Sequence, residues 1–252
     1  MAGHPTSSGR LTGVGVGPGD PMLLTRQAMA ILTDVDRVVA PTTGPADAGR
    51  AETIVRAALG AIEITRLAFD MTPDGAGGAD ARASSHLAAA RSLLPMLEGG
   101  EHVAFITLGD PNLYSTFSAL VDALGRLGWR GEVSTVPGIT AFQALAARTG
   151  TVLLDGTESL ALVTALDGPE HLAAALEDPD RAVVVYKGGR HLPAIAQLLA
   201  QHGRLEGAVF GERLGLEGER VGRLVDLAEG PAAYLATVIV PPAPRPTTRD
   251  ST

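Results

Sequence analysis

The sequence predicts an α/β protein of two domains, the first on a mainly parallel sheet with helices on both faces and the second on a mixed sheet with helices. In the first half, short apolar runs alternate with segments whose apolar residues recur at helical spacing. This alternation is typical of a parallel sheet covered on both sides. In the second half, three late strand-like runs follow one another through short links, which favours antiparallel or mixed pairing.

Length, composition and charge restrict the possible classes of protein. The 252 residues suffice for one large or two modest α/β domains, and no apolar run is long enough to span a membrane. The formal charge of −8, without a basic run to offset it, argues against a nucleic-acid binder. Cysteine is absent and no two histidines have metal-motif spacing, so we expect neither disulfides nor a metal site. The amino terminus lacks the apolar centre of a secretory signal, which favours a cytoplasmic location.

Each predicted element follows from its apolar spacing and its flanking turn residues. In the first half, strands are expected at 11–17, 37–40, 62–67, 103–108 and 132–136, and helices at 22–32, 51–59, 79–97, 111–127 and 141–147. In the second half, strands are expected at 160–164, 182–186, 208–212, 220–224 and 234–240, and a helix at 193–202.

The domain boundaries follow from the same pattern. The predicted amino-terminal domain comprises residues 10–149 and the carboxyl-terminal domain residues 158–240, joined by a linker at 150–157. Residues 1–9 are expected to be a disordered leader and residues 241–252 a disordered tail. The glycine-rich segment 72–78 is expected to be a flexible surface connection or the rim of a site. The tail is too rich in proline and too poor in apolar residues to fold.

The turn Gly109-Asp110-Pro111 lies between a buried strand and an amphipathic helix. Asp110 suits the position that caps a helix, Pro111 suits the first helical position, and Gly109 permits a turn that a side chain would block. The same tripeptide occurs at residues 19–21 before the first helix. Taken alone, a Gly-Asp-Pro turn is best interpreted as the start of a helix.

Three strand-end turns, at 18–21, 108–111 and 137–140, would face one crevice if their strands were neighbours. Ligands of open α/β sheets bind beyond the carboxyl ends of the strands. The glycine-rich first turn fails the G-x-G-x-x-G pattern of dinucleotide sites, because Pro18 and Asp20 occupy the third glycine position in the two possible registers. Backbone groups, carboxylates and hydroxyls at such a crevice suit binding and orienting a small polar cofactor.

Five blocks of sequence carry a resemblance to a known family. In order they are GVGVGPGDPMLLT, FITLGDPNLYSTF, VPGITAFQALA, VVVYKGGR and GERLGLEGERV. In order and spacing they resemble the tetrapyrrole (corrin/porphyrin) methyltransferases over residues 10–240. The run from Tyr114 to Phe117, Lys187 and the segment 212–220 resemble most the branch that methylates precorrin-2 at carbon 20.

The resemblance implies the two-domain tetrapyrrole methylase fold, a homodimer, and S-adenosylmethionine in the cleft between the domains, leaving as S-adenosylhomocysteine. By motif position, the residues implied to bind this cofactor are Pro18, Leu108, Gly109, Asp110, Leu113, Ser115, Thr116, Thr140, Ala141, Tyr186, Lys187, Gly211, Glu212, Arg213, Ala236 and Thr237. Four arginines are candidates for the carboxylates of the acceptor: Arg213, Arg190, Arg148 and Arg82. No residue is identified as a catalytic base.

The reaction that the resemblance implies is direct displacement, with a meso carbon of the macrocycle attacking the methyl group in line. Alternatives are a methylase of the same fold acting at another corrinoid position, on uroporphyrinogen III, or on a protein or RNA acceptor. A non-catalytic binding protein of the same fold is a further alternative. Residues 44–50 and 69–71 depart from the pattern of the branch, and both segments are expected to border the acceptor.

Overall fold

The structure is a computed structural model that describes residues 9–44, 48–69 and 78–243. It divides into two compact units, Met1–Thr140 and Ala141–Thr252. The predictions made for residues 1–8, for 72–77, and for 244–252 lie outside the described residues, as do parts of the two segments that depart from the family pattern.

The first unit is built on a five-stranded sheet. Its strands are β1 (Arg10–Gly15), β2 (Arg37–Thr42), β3 (Ile64–Ala68), β4 (His102–Thr107) and β5 (Glu132–Val136). They lie in the order β3-β2-β4-β1-β5, and every pair is parallel. The predicted mainly parallel sheet is therefore confirmed.

Helices cover both faces of this sheet, as the sequence predicts. They are α1 (Arg26–Asp34), α2 (Arg50–Leu59), α3 (Gly78–Glu98) and α4 (Thr116–Arg126). Successive side chains of a strand point to opposite faces, and the two cores follow that rule along β4. Val103 and Phe105 pack with residues of α3 and α4, whereas Ala104 and Ile106 pack with residues of α1 and α2.

The second unit contains a mixed sheet, which confirms the second prediction of fold class. Its elements are α5 (Ala141–Thr149), β6 (Ser159–Thr164), α6 (Leu172–Leu176), β7 (Arg181–Tyr186), α7 (Leu192–Gln201), β8 (Val209–Glu212), β9 (Arg220–Arg223), α8 (Leu224–Leu227) and β10 (Ala236–Val240). The strand order is β6-β7-β10-β8-β9. Only β6 and β7 pair in parallel, and the other three pairs are antiparallel.

Helix α5 belongs to the second unit, although its place in the sequence assigns it to the first domain. The phenolic oxygen of Tyr186 on β7 accepts a hydrogen bond from the backbone amide of Phe142 at 3.2 Å. A Cβ atom added to Gly211 on β8 would lie 2.8 Å from Leu145 Cδ1. The helix therefore packs directly on the second sheet, and the units divide at residue 140.

In the ranges that the structure describes, no helix is both long enough and apolar enough to cross a membrane.

Candidate functional site

The carboxyl ends of β4, β1 and β5 lie side by side, because β1 separates the other two strands in the sheet. The three predicted turns follow these strands, so they meet at one edge of the first sheet, as expected. Two of them are joined by their backbones. Gly109 N donates to Gly17 O at 2.8 Å, and Gly17 N donates to Gly109 O at 3.4 Å.

Asp110 fixes the turn after β4 through both of its carboxylate oxygens. Oδ1 accepts a hydrogen bond from the amide of Asn112 at 2.8 Å, which closes a tight turn. Oδ2 accepts one from the amide of Gly138 at 3.0 Å, which ties this turn to the one after β5. The carboxylate therefore satisfies two amides of the site.

The prediction that Asp110 caps α4 is wrong. Helix α4 begins at Thr116, and its cap is Ser115, whose Oγ accepts from Phe117 N at 3.0 Å. The predicted helix start at residue 22 is wrong for the same reason. Residues 21–23 form one 3₁₀ turn capped by Asp20, and α1 starts later, where Thr25 Oγ1 accepts from Ala28 N at 3.1 Å. An aspartate that bonds the amide two residues ahead closes a turn instead of starting a long helix.

Glycine is required where the turns cross. A Cβ atom at Gly15 would lie 2.5 Å from Gly109 O and 2.6 Å from Gly138 N. One at Gly138 would lie 2.0 Å from the same carbonyl oxygen. Bare backbone at both positions lets the β4 turn pass over the end of β1 and reach the turn after β5. Sequence reasoning noted the glycines of β1 but missed this role, because the signal appears only when the strand order is known.

The space beside Gly109 is open. Its φ is +70°, and a Cβ atom added there would meet nothing within 4 Å. A ligand can therefore approach this backbone closely, which is what a polar cofactor held by main-chain groups requires. Four further predicted residues of the first unit lie on the same three loops, and a fifth, Thr116, is the first residue of α4. Pro18 is buried and the other four are partly buried: Pro18, Leu108, Leu113, Thr116 and Thr140.

The hydroxyl of Ser115 has a second partner, since its oxygen lies 3.1 Å from Thr107 Oγ1 at the end of β4. Thr107 is buried. Because the same serine caps α4, this contact fixes the start of the helix to the strand that precedes the loop. Sequence reasoning placed Ser115 among the cofactor residues but did not predict its capping role, although a serine just before an apolar-periodic segment is a usual helix start.

The predicted residues of the second unit also lie together. Thr237 on β10 is in register with Tyr186 on β7 and with Gly211 on β8, and Ala236 is in register with Glu212. Ala141 begins the helix that packs on these strands. We call Tyr186, Thr237 and Gly211 the β10 row.

The side chain of Glu212 is used within the protein. It is 5% exposed, and its Oε1 accepts from Arg220 Nη1 at 2.9 Å. Its Oε2 accepts from the amide of Ala233 at 2.6 Å. Glu212 therefore holds the segment before β10 against β8, and its carboxylate has no oxygen left without a partner.

The four arginines predicted for the acceptor have different surroundings. Arg148 forms an ion pair with Glu219 at 2.6 Å, so its charge is neutralised. Arg190 donates to the carbonyl oxygen of Leu166 at 3.3 Å. Arg213 is exposed and follows β8 directly.

Arg82 lies exposed on α3 in the first unit. Its charge acts on His86, on the same helix. The pKa of His86 is lowered, first by burial and then by the positive charge of Arg82. Nothing else in the described residues links Arg82 to a binding role.

Among the residues that the structure describes, no group of three or more histidine, aspartate or glutamate side chains is arranged to hold a metal ion.

The sequence model of the tetrapyrrole (corrin/porphyrin) methylases matches residues 10–228, which is most of the chain. The chain belongs to this family. The three loops that meet beyond β4, β1 and β5 all lie inside the matched range. Tyr186 and Gly211 of the β10 row also lie inside it.

Two relatives and one solved structure show how close the similarity is. The chain is 35% identical to the cobalt-precorrin-2 C(20)-methyltransferase of Salmonella typhimurium, over 92% of this chain and 96% of the relative. It is 32% identical to the precorrin-2 C(20)-methyltransferase of a Sinorhizobium species, over 92% and 95%. The uroporphyrin-III C-methyltransferase of Thermus thermophilus, solved with S-adenyl homocysteine, superposes with a TM-score of 0.62 at 25% identity, over 92% of this chain and 97% of that one.

Proposed function

We propose that the protein transfers the methyl group of S-adenosylmethionine to carbon 20 of precorrin-2 or its cobalt complex, in cobalamin biosynthesis. The observation that supports this most strongly is the similarity to two methyltransferases of that name, which extends over nearly the whole of each chain. Similarity of that extent includes residues of both units, so it does not rest on the cofactor loops alone.

The loop cluster beyond β4, β1 and β5 supports the choice of cofactor. Gly109 offers open backbone, and the carboxylate of Asp110 keeps the turn rigid through the amides of Asn112 and Gly138. A relative of the same fold was solved with S-adenyl homocysteine. We assign the predicted residues on and beside these loops to the cofactor, and propose the β10 row, with Glu212 and Ala236, as further contacts. Lys187 and Arg213, which the family resemblance implies for the cofactor, are here assigned to the acceptor.

S-adenosylmethionine supplies a methyl group on a sulfonium, which is already a good electrophile. The contribution of the protein is therefore to hold the methyl group in line with the nucleophilic carbon and to keep water away. Direct transfer of the methyl group needs no side chain that forms a covalent intermediate. Rigid loops, fixed by backbone hydrogen bonds and close glycine contacts, suit it well.

Binding and turnover test the proposal separately. Titration calorimetry is expected to give one site per chain for S-adenosylmethionine and for its demethylated product. Incubation with precorrin-2, with and without cobalt, is expected to yield one added methyl group by mass spectrometry and carbon 20 as its position by NMR. Absence of cofactor binding would overturn the proposal, and a methyl group at another position would assign the protein to a different branch. Binding without turnover on either acceptor would favour the non-catalytic alternative.

We also propose that the protein is a homodimer in the cytoplasm, as the family resemblance implies. Sedimentation equilibrium is expected to give about twice the chain mass of 25.8 kDa. A mass equal to one chain at micromolar concentration would contradict the dimer.

A further inference from the structure

Two cationic residues of the second unit have an unusual backbone conformation. Lys187 has a φ of 59° and Arg213 a φ of 52°. Positive φ is uncommon outside glycine and favours asparagine and aspartate among the other types, so neither lysine nor arginine is expected there. Strained conformations of this kind persist where the surrounding structure holds them, and they are concentrated at functional sites.

Both residues lie at the same edge of the second sheet. Lys187 follows the last residue of β7, and Arg213 follows the last residue of β8. Strand β10 is antiparallel to both, with Thr237 in register with Tyr186 and with Gly211. The strands β7 and β8 therefore point in the same direction with one strand between them. At about 4.8 Å between neighbouring strands, Tyr186 and Gly211, which are both in register with Thr237, are about 10 Å apart. Lys187 follows Tyr186 by one residue, and Arg213 follows Gly211 by two.

The carboxylates beside Arg213 are occupied by other groups. Glu212 accepts from Arg220 and from the amide of Ala233, and Glu219 pairs with Arg148 and accepts from the amide of Gly215. Within the described residues Arg213 has no ion-pair partner. Its positive charge is thus available at the surface of a protein whose formal charge is −8.

The loop that carries Arg213 is held in place by its own hydrogen bonds. Leu216 N donates to Arg213 O at 2.9 Å, and Glu219 N donates to Leu216 O at 3.1 Å. Lys187 is placed near an aromatic ring, since its Nζ lies 5.9 Å from the centroid of Tyr234. Arg213 therefore starts from a fixed backbone position, and the amino group of Lys187 has a defined neighbour in the ring of Tyr234.

We propose that Lys187 and Arg213 bind two peripheral carboxylates of the macrocyclic acceptor and so determine which of its carbons is methylated. This inference rests on the proposed function. An arginine holds a carboxylate through two parallel hydrogen bonds, and a lysine binds one as a compact point charge. Two anchors on separate strands fix the rotation of a flat, multiply anionic ring, whereas one anchor leaves it free to turn. The pair is thus a specificity determinant as well as a source of affinity.

The test replaces each residue by glycine, which adopts positive φ without strain. Lys187→Gly and Arg213→Gly are expected to fold at least as stably as the unsubstituted protein. For each, KM for precorrin-2 is expected to rise about tenfold or more, as loss of a charge-assisted hydrogen bond implies. The dissociation constant for S-adenosylmethionine is expected to stay within about twofold.

The double variant is expected to give methyl groups at more than one carbon. Arg213→Lys keeps the charge but not the two parallel hydrogen bonds of a guanidinium, so its KM for precorrin-2 is expected to lie between those of the unsubstituted protein and Arg213→Gly.

A matched control is Arg223→Ala. Arg223 is an exposed arginine at the end of β9, and it pairs with Glu206 at 2.6 Å. It is in register with Val209, the first residue of β8, and so lies at the opposite end of the strands from Arg213. The KM of the Arg223→Ala variant for precorrin-2 is expected to be unchanged.

Three results would overturn the inference. The first is unchanged acceptor KM and product in both glycine variants, which would leave the proposed function intact. The second is weaker cofactor binding with unchanged acceptor KM, which would make the two residues cofactor contacts only. The third is absence of turnover by the unsubstituted protein, which would overturn the proposed function and the inference together.

Discussion

Asp20 and Asp110 each accept a hydrogen bond from the amide two residues ahead, at 2.9 Å from Met22 N and 2.8 Å from Asn112 N. Each stands five residues before the true cap of an α-helix, Thr25 in one case and Ser115 in the other. The two Gly-Asp-Pro turns thus have the same local chemistry and the same distance to the helix. Nothing in either tripeptide distinguishes them.

They differ in their long-range contacts. Among the described residues, the side chain of Asp20 bonds only within its own turn, whereas Asp110 also accepts from Gly138 N, 28 residues away. The reason is the position of the strands. β1 lies between β4 and β5, and the glycine at position 15 leaves room for the β4 turn to pass over its end. Identical local motifs therefore acquire different roles from the strand order, and four experiments test this difference.

The largest effect is expected where the turns cross. Gly138→Ala places a Cβ atom 2.0 Å from Gly109 O, so the backbones must move apart. We expect the free energy of unfolding to fall by about 3 kcal/mol. Urea denaturation measures it. The matched control is Gly125→Ala in α4, whose new Cβ would meet only Arg130 Nη1 at 3.8 Å and which is expected to gain up to about 1 kcal/mol. Equal stability of the two variants would mean that the crossing is not tight.

A second experiment separates the two oxygens of Asp110. Asp110→Asn keeps an oxygen for Asn112 N but presents an NH₂ group to Gly138 N. We expect a loss of about 2 kcal/mol in unfolding free energy and about tenfold weaker binding of S-adenosylmethionine by calorimetry. Asp20→Asn, the matched change in the other turn, is expected to alter neither by much. If both variants bound the cofactor equally well, the contrast between the turns would be structural only.

The third experiment compares the helix caps. Thr25→Ala and Ser115→Ala each remove one capping hydrogen bond and are expected to lower the unfolding free energy by about 1 kcal/mol. The effect at Ser115 is expected to be the larger, since its hydroxyl also contacts the buried Thr107. Thermal and urea denaturation provide the measurement. A larger effect at Thr25 would show that the contact with Thr107 contributes nothing.

The fourth and smallest effect concerns the amino ends of the strands that carry both turns. Thr12 Oγ1 lies 2.9 Å from His102 Nε2 and 2.9 Å from Ser134 Oγ, while Arg10 Nη2 donates to His102 Nδ1 at 3.2 Å. Because Nδ1 must accept, Nε2 carries the proton of a neutral ring. Burial, and then the charge of Arg10, lower the pKa of His102 below its ordinary value of 6.5.

The unfolded chain therefore binds this proton more readily than the folded one. The stability contributed by neutral His102 is complete above pH 6.5 and is lost as the pH falls toward the lowered pKa of the folded state. We expect His102→Gln to show a smaller loss of stability on acidification from roughly pH 7 to pH 5 than the unsubstituted protein. Parallel pH profiles for the two proteins would exclude His102 as the cause.

Much of the fold was predictable because periodicity and burial are local properties. The predicted bounds of the ten strands lie within a few residues of the observed bounds, and for β5 the predicted first and last residues are the observed ones. The helix starts were less accurate. Thr25 and Ser115 carry the usual signal of a capping residue, but Asp20 and Asp110 carry the same signal five residues earlier. The short helices α6 and α8 were missed, since five and four residues are too few to show helical spacing.

The sequence by itself determined the alternation of strands and helices, the family blocks and the residues around which the site is built. Only the tertiary structure decided which of two identical turns joins its neighbour, and that a carboxylate interpreted as a cap holds Gly138 instead. It also brought Lys187 and Arg213 to one sheet edge from positions 26 residues apart. The physical reason is that hydrogen bonds and steric contacts between distant segments depend on strand order, which local patterns do not encode.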